Sequence, residues 1–348
     1  MMRETATILP PLSRALTVLE FVGRHLDPMT FDQMFAAMGT PDDALREALH
    51  GVDGEDEPAV ISARLALSAF DAMRTALANG DDLYAIYGAL RFLPRALEAL
   101  YPLASNDPLV NRFYLDPSLR GDADIVASAA QPPRAGETGV MHFDNERGSR
   151  GGYSLYVPES YSRERPLPLV MALHGGSGHG RAFLWSWLRD ARSFEAIVVA
   201  PTATGRTWAL MGNDADTPNL HRILDDVSAR WRIDPTRLLL TGMSDGGTFC
   251  YVSGLEGASR FTHLAPASAT FHPMMATMAD AERINGLPIR ITHGARDWMF
   301  PVEVARRAAE SLAAAGADVG YREIDDLSHC YPREINVALL QWVRDNPQ

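Results

Sequence analysis

The chain contains no lysine, so its basic residues, 32 in number, are all arginine. Acidic residues number 44, and the formal net charge at pH 7 is −12. Because an acidic surface repels phosphate groups, this charge argues against nucleic acid or an anionic membrane as a partner. We attribute the missing lysine to genomic base composition and derive no chemistry from it.

Cysteine is almost as scarce, since Cys250 and Cys330 are the only two in the sequence. Two cysteines are too few for a disulfide framework or a zinc site. They are typical of reduced thiols in a cytosol-like compartment, and we therefore expect a cytoplasmic protein.

Long apolar runs are also missing. No run approaches the length of a membrane span, so we expect none. The first 25 residues lack the uninterrupted apolar core of a signal peptide, and we expect no such peptide. Five charged residues interrupt that segment: Arg3, Glu4, Arg14, Glu20 and Arg24.

Residues 1–125 have helical periodicity throughout and no strand pattern. Leu12, Leu16 and Leu19 fall on one stripe of a first helix, and residues 40–43 (Thr-Pro-Asp-Asp) are typical of a helix start. We predict an all-helical N-terminal domain over residues 1–125 that carries most of the chain's acidity. A polar linker with Pro and Gly is predicted over 126–138, and a second domain over 139–348.

The apolar stretches 60–77 and 83–103 are two longer helices of this N-terminal domain, separated by Asn-Gly-Asp-Asp at 79–82. Two hypotheses account for their apolar character. The domain is either a lid over a site or an oligomerisation surface that makes the protein a homo-oligomer.

Beyond residue 138 short apolar runs alternate with gaps of helix length. Runs 140–143 and 153–157 flank a Gly-rich turn and predict a hairpin. The alternation predicts an α/β fold, with a mostly parallel sheet and helices on both faces. Ligands of such sheets bind outside the carboxyl ends of the strands. Six further strands are predicted, at 167–173, 196–200, 238–241, 263–267, 289–292 and 319–324.

A Gly-x-Ser-x-Gly pattern with Ser244 at its centre follows the run 238–241. Such a turn can hold a serine hydroxyl exposed at a strand end, ready to attack an acyl carbon. Gly242 and Gly246 suit it, because side chains there would collide with the adjoining strand and helix. Chance supplies about 0.1 such patterns in a chain of this composition, so the rest of a site must accompany it.

A glycine-rich loop follows the strand predicted at 167–173. Acyl transfer needs two N–H donors for the oxyanion of its tetrahedral intermediate. One donor comes from the residue after the nucleophile, here Asp245, and the second from an earlier loop, here Gly176 or Ser177. The alternative, a phosphate-binding loop, is disfavoured because no Gly-Lys-Ser/Thr sequence follows.

An acid and a base occur at two later strand ends. Asp297 follows the run 289–292, and His329 follows the run 319–324. The order serine, acid, histidine is the one expected of a serine hydrolase built on such a sheet. The rivals are His272 and His293, which precede the acid, and Asp325 and Asp326, which stand too close to His329 in the chain to reach its far nitrogen well.

With these motifs the chain resembles a serine hydrolase of the α/β-hydrolase fold. It is similar to the phospholipase/carboxylesterase group, to feruloyl esterases and to polyhydroxybutyrate depolymerase-like esterases, over about residues 138–348. The helical N-terminal region departs from that group. So does the sequence His-Gly-Gly-Ser-Gly, where many lipases have His-Gly-Gly-Gly. The matching residues are Leu-His-Gly-Gly at 173–176, residues 233–237 before Gly-Met-Ser-Asp-Gly-Gly at 242–247, His-Gly-Ala-Arg-Asp at 293–297 and Ser-His at 328–329.

The resemblance implies a carboxylesterase that acts on small or medium esters through an acyl-enzyme. Ser244 would attack, His329 would take its proton and Asp297 would orient the imidazole. No metal and no organic cofactor is implied. The alternatives are a serine peptidase of the same fold and a hydrolase-like, non-enzymatic interaction module, which predicts a damaged triad.

Large side chains near the strand ends are candidates for substrate contact. Trp208, Phe271 and Trp298 would form apolar walls for a short acyl chain or an aromatic ester. For each of them, packing within the protein is an equally open interpretation.

Overall fold

The computed structural model describes residues 2–52, 54–80 and 83–348. These residues group into two compact units that divide between Pro132 and Pro133.

The first unit is helical, and its elements follow the predicted apolar stripes: Leu12, Leu16 and Leu19 are fully buried. The stretch 83–103 does not form one helix. Pro94 has no N–H group to donate to the carbonyl of Leu90, and the chain divides at Arg91 into two helices. The helices are α1 (Met2–Arg24), α2 (Phe31–Met38), α3 (Asp43–Leu49), α4 (Pro58–Asn79), α5 (Leu83–Leu90), α6 (Phe92–Leu100), α7 (Pro108–Phe113) and α8 (Ala123–Ala129).

Two helix boundaries differ from the prediction or define it further. The helix expected to begin at Thr40 begins after Asp42, whose carboxylate binds Arg46 and Arg74 instead of capping the helix. Helix α4 ends at Gly80, which has the left-handed conformation that glycine favours. Residues 81 and 82 of the predicted break lie outside the described residues.

Helix α8 occupies the first residues of the predicted linker 126–138. Asp122 starts this helix, since its carboxylate accepts from the N–H groups of Asp124 and Ile125. The sequence of 126–129 carries no helix-breaking residue, and the Pro and Gly that suggested a linker stand only after it.

The second unit contains one eight-stranded sheet in the order β1-β2-β4-β3-β5-β6-β7-β8. β2 pairs antiparallel with β1 and β4, and the remaining pairs are parallel. A strand occurs at each of the eight predicted positions. The strands are β1 (Gly139–Phe143), β2 (Tyr153–Val157), β3 (Leu167–Leu173), β4 (Ile197–Pro201), β5 (Ile233–Met243), β6 (His263–Ala267), β7 (Pro288–Gly294) and β8 (Asp318–Ile324).

Both faces of the sheet are covered. Every residue of β4 and β6 is buried, although successive side chains of a strand point to opposite faces. The covered, mostly parallel sheet confirms the α/β-hydrolase fold that the motifs predicted. The helices of this unit are α9 (Gly180–Phe183), α10 (Leu188–Phe194), α11 (Asp216–Arg230), α12 (Asp245–Gly254), α13 (Met274–Met278), α14 (Ala281–Ile284), α15 (Val302–Ala314) and α16 (Asn336–Asp345).

In the described parts of the chain, no helix combines the length and the apolar character needed to cross a bilayer.

Candidate active site

Ser244 occupies the sharp turn between β5 and α12. Its backbone has φ 56° and ψ −122°, in the left-handed half of conformational space that non-glycine residues rarely adopt. Two backbone hydrogen bonds hold the turn: the Ser244 N–H donates to Ala267 O at 3.0 Å, and Thr248 N–H donates to Ser244 O at 2.8 Å. The strain is therefore balanced by bonds to β6 and to the first turn of α12.

The two glycines of the motif are required by close backbone contacts. A Cβ atom on Gly242 would lie 2.4 Å from Gly246 O, and one on Gly246 would lie 2.5 Å from His174 O. Both contacts are with backbone atoms, which cannot move aside as a flexible side chain could. The turn thus depends on glycine at both positions.

Ser244, His329 and Asp297 form a hydrogen-bonded line. Nε2 of His329 lies 3.1 Å from Ser244 Oγ, and its Nδ1 lies 2.8 Å from Asp297 Oδ2. All three side chains are at least nine-tenths buried. The carboxylate of Asp297 can only accept, so Nδ1 carries the hydrogen of the neutral His329 ring, which leaves a lone pair on Nε2 facing the serine hydroxyl.

The rival residues lie elsewhere. His272 is exposed before α13, where its Nδ1 accepts from Met274 N–H. Asp325 and Asp326 are exposed in the turn after β8, while Asp297 occupies the position beside His329. The remaining rival, His293, is buried next to Asp297 rather than next to Ser244.

His174, the first residue after β3, fixes the glycine-rich loop. Its Nε2 accepts from Ala203 N–H at 3.1 Å, so Nδ1 carries the hydrogen and donates to Gly175 O at 2.7 Å. Burial disfavours the charged imidazole and lowers the pKa of His174 to about 4. The neutral ring therefore serves as a fixed bridge between this loop and the chain after β4.

The Gly175 carbonyl also accepts from Gly178 N–H at 3.0 Å, so the peptide that joins Gly175 to Gly176 is held in one orientation. In a trans peptide the N–H group points away from the carbonyl. The Gly176 N–H therefore points away from His174. Gly176 itself lies against Asp245, because a Cβ atom at Gly176 would be 2.7 Å from Asp245 Oδ2.

The three candidate substrate contacts have different surroundings. Trp208 is 2% exposed, donates its indole N–H to His174 O at 2.7 Å and stacks on Phe249. Phe271 is 7% exposed and packs edge-on against Tyr251. For both, packing is the interpretation that their burial favours, because it leaves almost no surface for a substrate.

Trp298 differs from the other two candidates. It is 40% exposed, and its ring lies edge-on to His329 with 6.1 Å between ring centroids. Phe300 flanks the same imidazole at 5.3 Å. Of the three candidates, Trp298 thus combines exposure with contact to the histidine of the triad.

Sequence reasoning missed several supporting residues. Thr207 donates its hydroxyl to Asp245 Oδ2 at 2.5 Å. The buried carboxylate of Asp216 accepts from the N–H groups of Thr204 and Ala209, which brackets Trp208. No local pattern marks these residues, because their partners lie in loops whose spatial positions the sequence does not state. Within the described ranges, no cluster of three or more His, Cys, Asp or Glu is arranged to hold a metal ion.

Known proteins were compared with the chain. No protein-family model matches it. A bifunctional acetylxylan esterase/xylanase of Neocallimastix patriciarum is 28% identical over 169 residues, 45% of this chain and 23% of that protein. A probable feruloyl esterase C of Aspergillus oryzae is 28% identical over 128 residues, 35% of this chain and 46% of that protein.

A lasso peptide isopeptidase of Asticcacaulis excentricus is 27% identical over 164 residues, 41% of this chain and 23% of that protein. The chain thus spans a quarter to a half of the length of the curated relatives it matches. The relatives named as esterases confirm the predicted resemblance to esterases of this fold.

The low pKa of His174 predicts an acid-sensitive second unit. In the unfolded chain His174 takes up a proton near its ordinary pKa of 6.5, whereas in the folded chain it does so only near pH 4. Its contribution to the free energy of unfolding is therefore complete above pH 6.5 and decreases as the pH falls towards 4. Between pH 7 and pH 5 this should lower the free energy of unfolding by about 2 kcal/mol. His174→Gln cannot titrate and should lose about that much less stability than the unmodified chain between pH 7 and pH 5.

Urea unfolding followed by tryptophan fluorescence measures this effect, because all six tryptophans lie in the second unit. The matched control is His272→Gln, which replaces an exposed ring and should retain the original pH dependence. If His174→Gln and the unmodified chain lose equal stability between pH 7 and pH 5, the lowered pKa of His174 is not the cause of the acid sensitivity.

Proposed function

We propose that this chain, which has the α/β-hydrolase fold and resembles esterases of that fold, hydrolyses carboxylic esters through an acyl-enzyme on Ser244. His329 Nε2 takes the hydroxyl proton as Oγ attacks the ester carbonyl, and Asp297 stabilises the imidazolium. The proton then passes to the departing alcohol. Water, deprotonated by the same imidazole, cleaves the acyl-enzyme and releases the acid and the free serine.

The single observation that carries this proposal is the hydrogen-bonded line from Asp297 through His329 to Ser244. A buried serine at a left-handed turn, within 3.1 Å of an imidazole whose other nitrogen faces a carboxylate, matches the requirements of an activated nucleophile. An intact line of this kind disfavours the alternative of a non-enzymatic interaction module.

For the oxyanion we propose the N–H groups of Asp245 and Gly176. Asp245 is the first residue of α12, where backbone N–H groups have no partner within the helix. The orientation of the Gly175–Gly176 peptide supports Gly176, and Ser177, at φ 55°, is the alternative. Two such donors contribute about 3 kcal/mol each to transition-state stabilisation in comparable enzymes.

Replacement of the nucleophile tests the proposal. Ser244→Ala should lower kcat for p-nitrophenyl acetate by at least about 1000-fold, because the acyl-enzyme can no longer form. Ser253→Ala is the matched control: it removes a buried hydroxyl from the same helix α12 and should leave kcat within about 3-fold. A fluorophosphonate probe should label the unmodified chain and not Ser244→Ala. Retention of most activity by Ser244→Ala would exclude the mechanism.

Amide hydrolysis is the second candidate, favoured by a relative that is named as a lasso peptide isopeptidase. The same triad can cleave esters and amides, so the distinction rests on leaving-group preference. Rates with p-nitrophenyl esters and aminoacyl anilides separate the two. A higher kcat/KM for the anilides would favour the peptidase.

Trp298 is proposed as a wall for the acyl group, supported by its exposure beside His329. Trp298→Ala should lower kcat/KM for aromatic acyl esters up to about 10-fold and for acetate esters much less, because only a large acyl group uses the indole face. Met299→Ala, which shortens the exposed neighbour, is the control. Equal losses for both esters would argue against an acyl wall.

The first unit is proposed to mediate self-association, which we favour over a lid because it carries exposed apolar side chains on α1 and in the turn before α2. Phe21 is 47% exposed and Met29 83%. The double variant Phe21→Glu/Met29→Glu should lower the mass measured by light scattering, with KM unchanged. A changed KM at constant mass would support the lid instead, and no change in either would dismiss both ideas.

We also propose a reducing, cytoplasmic location. Cys250 and Cys330 are both buried, and neither forms a disulfide, as expected where thiols stay reduced. Cell fractionation that finds the chain in an oxidising compartment would contradict it.

A further inference from the structure

His293, near the end of β7, contacts the same carboxylate oxygen of Asp297 as His329 does. Its ring is 1% exposed. Nε2 of His293 lies 2.9 Å from Phe300 O and 3.3 Å from Asp297 Oδ2. Asp297 Oδ2 is thus flanked by two imidazoles, one from His293 and one from His329.

The hydrogen of the neutral His293 ring can be assigned. Both neighbours of Nε2 are acceptors, so Nε2 carries the hydrogen. Nδ1 is buried and has no hydrogen-bond partner among the residues that the structure describes. A hydrogen on Nδ1 would be a buried donor without an acceptor, which favours the tautomer whose Nε2–H donates to Phe300 O, with Asp297 Oδ2 3.3 Å from the same nitrogen.

The same contacts link His293 to the orientation of the carboxylate. Asp297 Oδ1 accepts from the N–H groups of Met299 and Phe300, at 2.9 and 2.8 Å. The carbonyl of Phe300 in turn accepts from His293. The Phe300 residue is thereby held on both its N–H and its carbonyl side, which fixes the turn that presents Asp297 to His329.

We propose that His293 is a positioning residue that acts through Asp297. This role rests on the ester hydrolysis proposed above. His293 holds the turn of Asp297 through its hydrogen bond to Phe300 O. It also places its Nε2–H group 3.3 Å from Asp297 Oδ2. The positive end of this N–H dipole offsets part of the negative charge of the carboxylate, which then attracts the proton of His329 less strongly. His293 therefore lowers the pH at which the base becomes available.

Other charged groups near this site are few. Glu323 of β8 is paired in register with His293, but its carboxylate is held by Arg306 and Tyr321. Asp325 and Asp326 are exposed in the next turn. None of them replaces the Nε2–H group that His293 places beside Asp297, and all stay unchanged in the variants below.

Three substitutions separate donation from mere volume. His293→Leu fills similar space and removes the donor. His293→Asn is polar, but its amide reaches only about as far as Nδ1. His293→Gln extends an amide N–H to about the position of Nε2 and should restore the bonds.

The readout is the pH dependence of kcat/KM for p-nitrophenyl acetate, together with kcat. His293→Leu and His293→Asn should move the midpoint of the acid limb to higher pH by about half a unit, because the unshielded carboxylate holds the His329 proton more strongly. Their kcat should fall about 10-fold, because the carboxylate is less well oriented. His293→Gln should return both values close to those of the unmodified chain.

His263→Leu is the matched control, since His263 is equally buried but lies at the opposite, amino-terminal end of β6. It should lower stability and leave the acid limb in place. An acid limb that stays fixed, or moves to lower pH, in His293→Asn would overturn the inference. So would the same upward shift in His263→Leu. If His293→Leu fails to fold, the Asn and Gln pair decides alone.

The result is separable from the proposed hydrolysis. Ser244→Ala tests the reaction itself, whereas the His293 series is measured only on chains that retain Ser244. Loss of activity in Ser244→Ala with an unmoved acid limb in the His293 variants would leave the esterase standing and remove the role of His293.

Discussion

The left-handed backbone of Ser244 is the constraint on which the rest of the site depends. Ser244, at φ 56°, stands in the turn where β5 ends and α12 begins. This conformation is tolerated only because Gly242 and Gly246 let three backbone segments approach within van der Waals contact. The histidine, the acid and the glycine-rich loop are then placed around one fixed oxygen atom.

The loops around that atom are held mainly by bonds between side chains and backbone. His174 bridges two loops, Trp208 donates to the backbone of His174, and Asp216 accepts from both sides of Trp208. Asp297 uses the same device, since one of its oxygens binds two N–H groups of its own turn. Residues that take no part in the proposed reaction thus fix the geometry of the site.

The sequence predicted the sheet and the triad because their signals are local. Each strand is a short apolar run, and the three residues proposed to act in catalysis follow the ends of β5, β7 and β8 in a recognisable order. The task of Trp208 was not predictable, because a large side chain near a strand end has the same pattern whether it meets substrate or a backbone carbonyl. The contacts of His293 were not predictable for a similar reason: its position after a strand indicates proximity to the site but not the atoms that its ring contacts. The start of α3 was not predictable either. The carboxylate of Asp42 accepts from Arg74, which is distant in the chain, and forms no capping hydrogen bond to the helix.

The strand order divides the triad mechanically. Asp297 and His329 follow β7 and β8, which are adjacent at one edge of the sheet, whereas Ser244 follows β5 near its centre, with β6 between. The proposed acid and base are therefore carried by neighbouring strands, whereas the contact between imidazole and hydroxyl spans β6. A displacement of that edge relative to the centre of the sheet would change the distance from imidazole to hydroxyl more than the distance from imidazole to carboxylate.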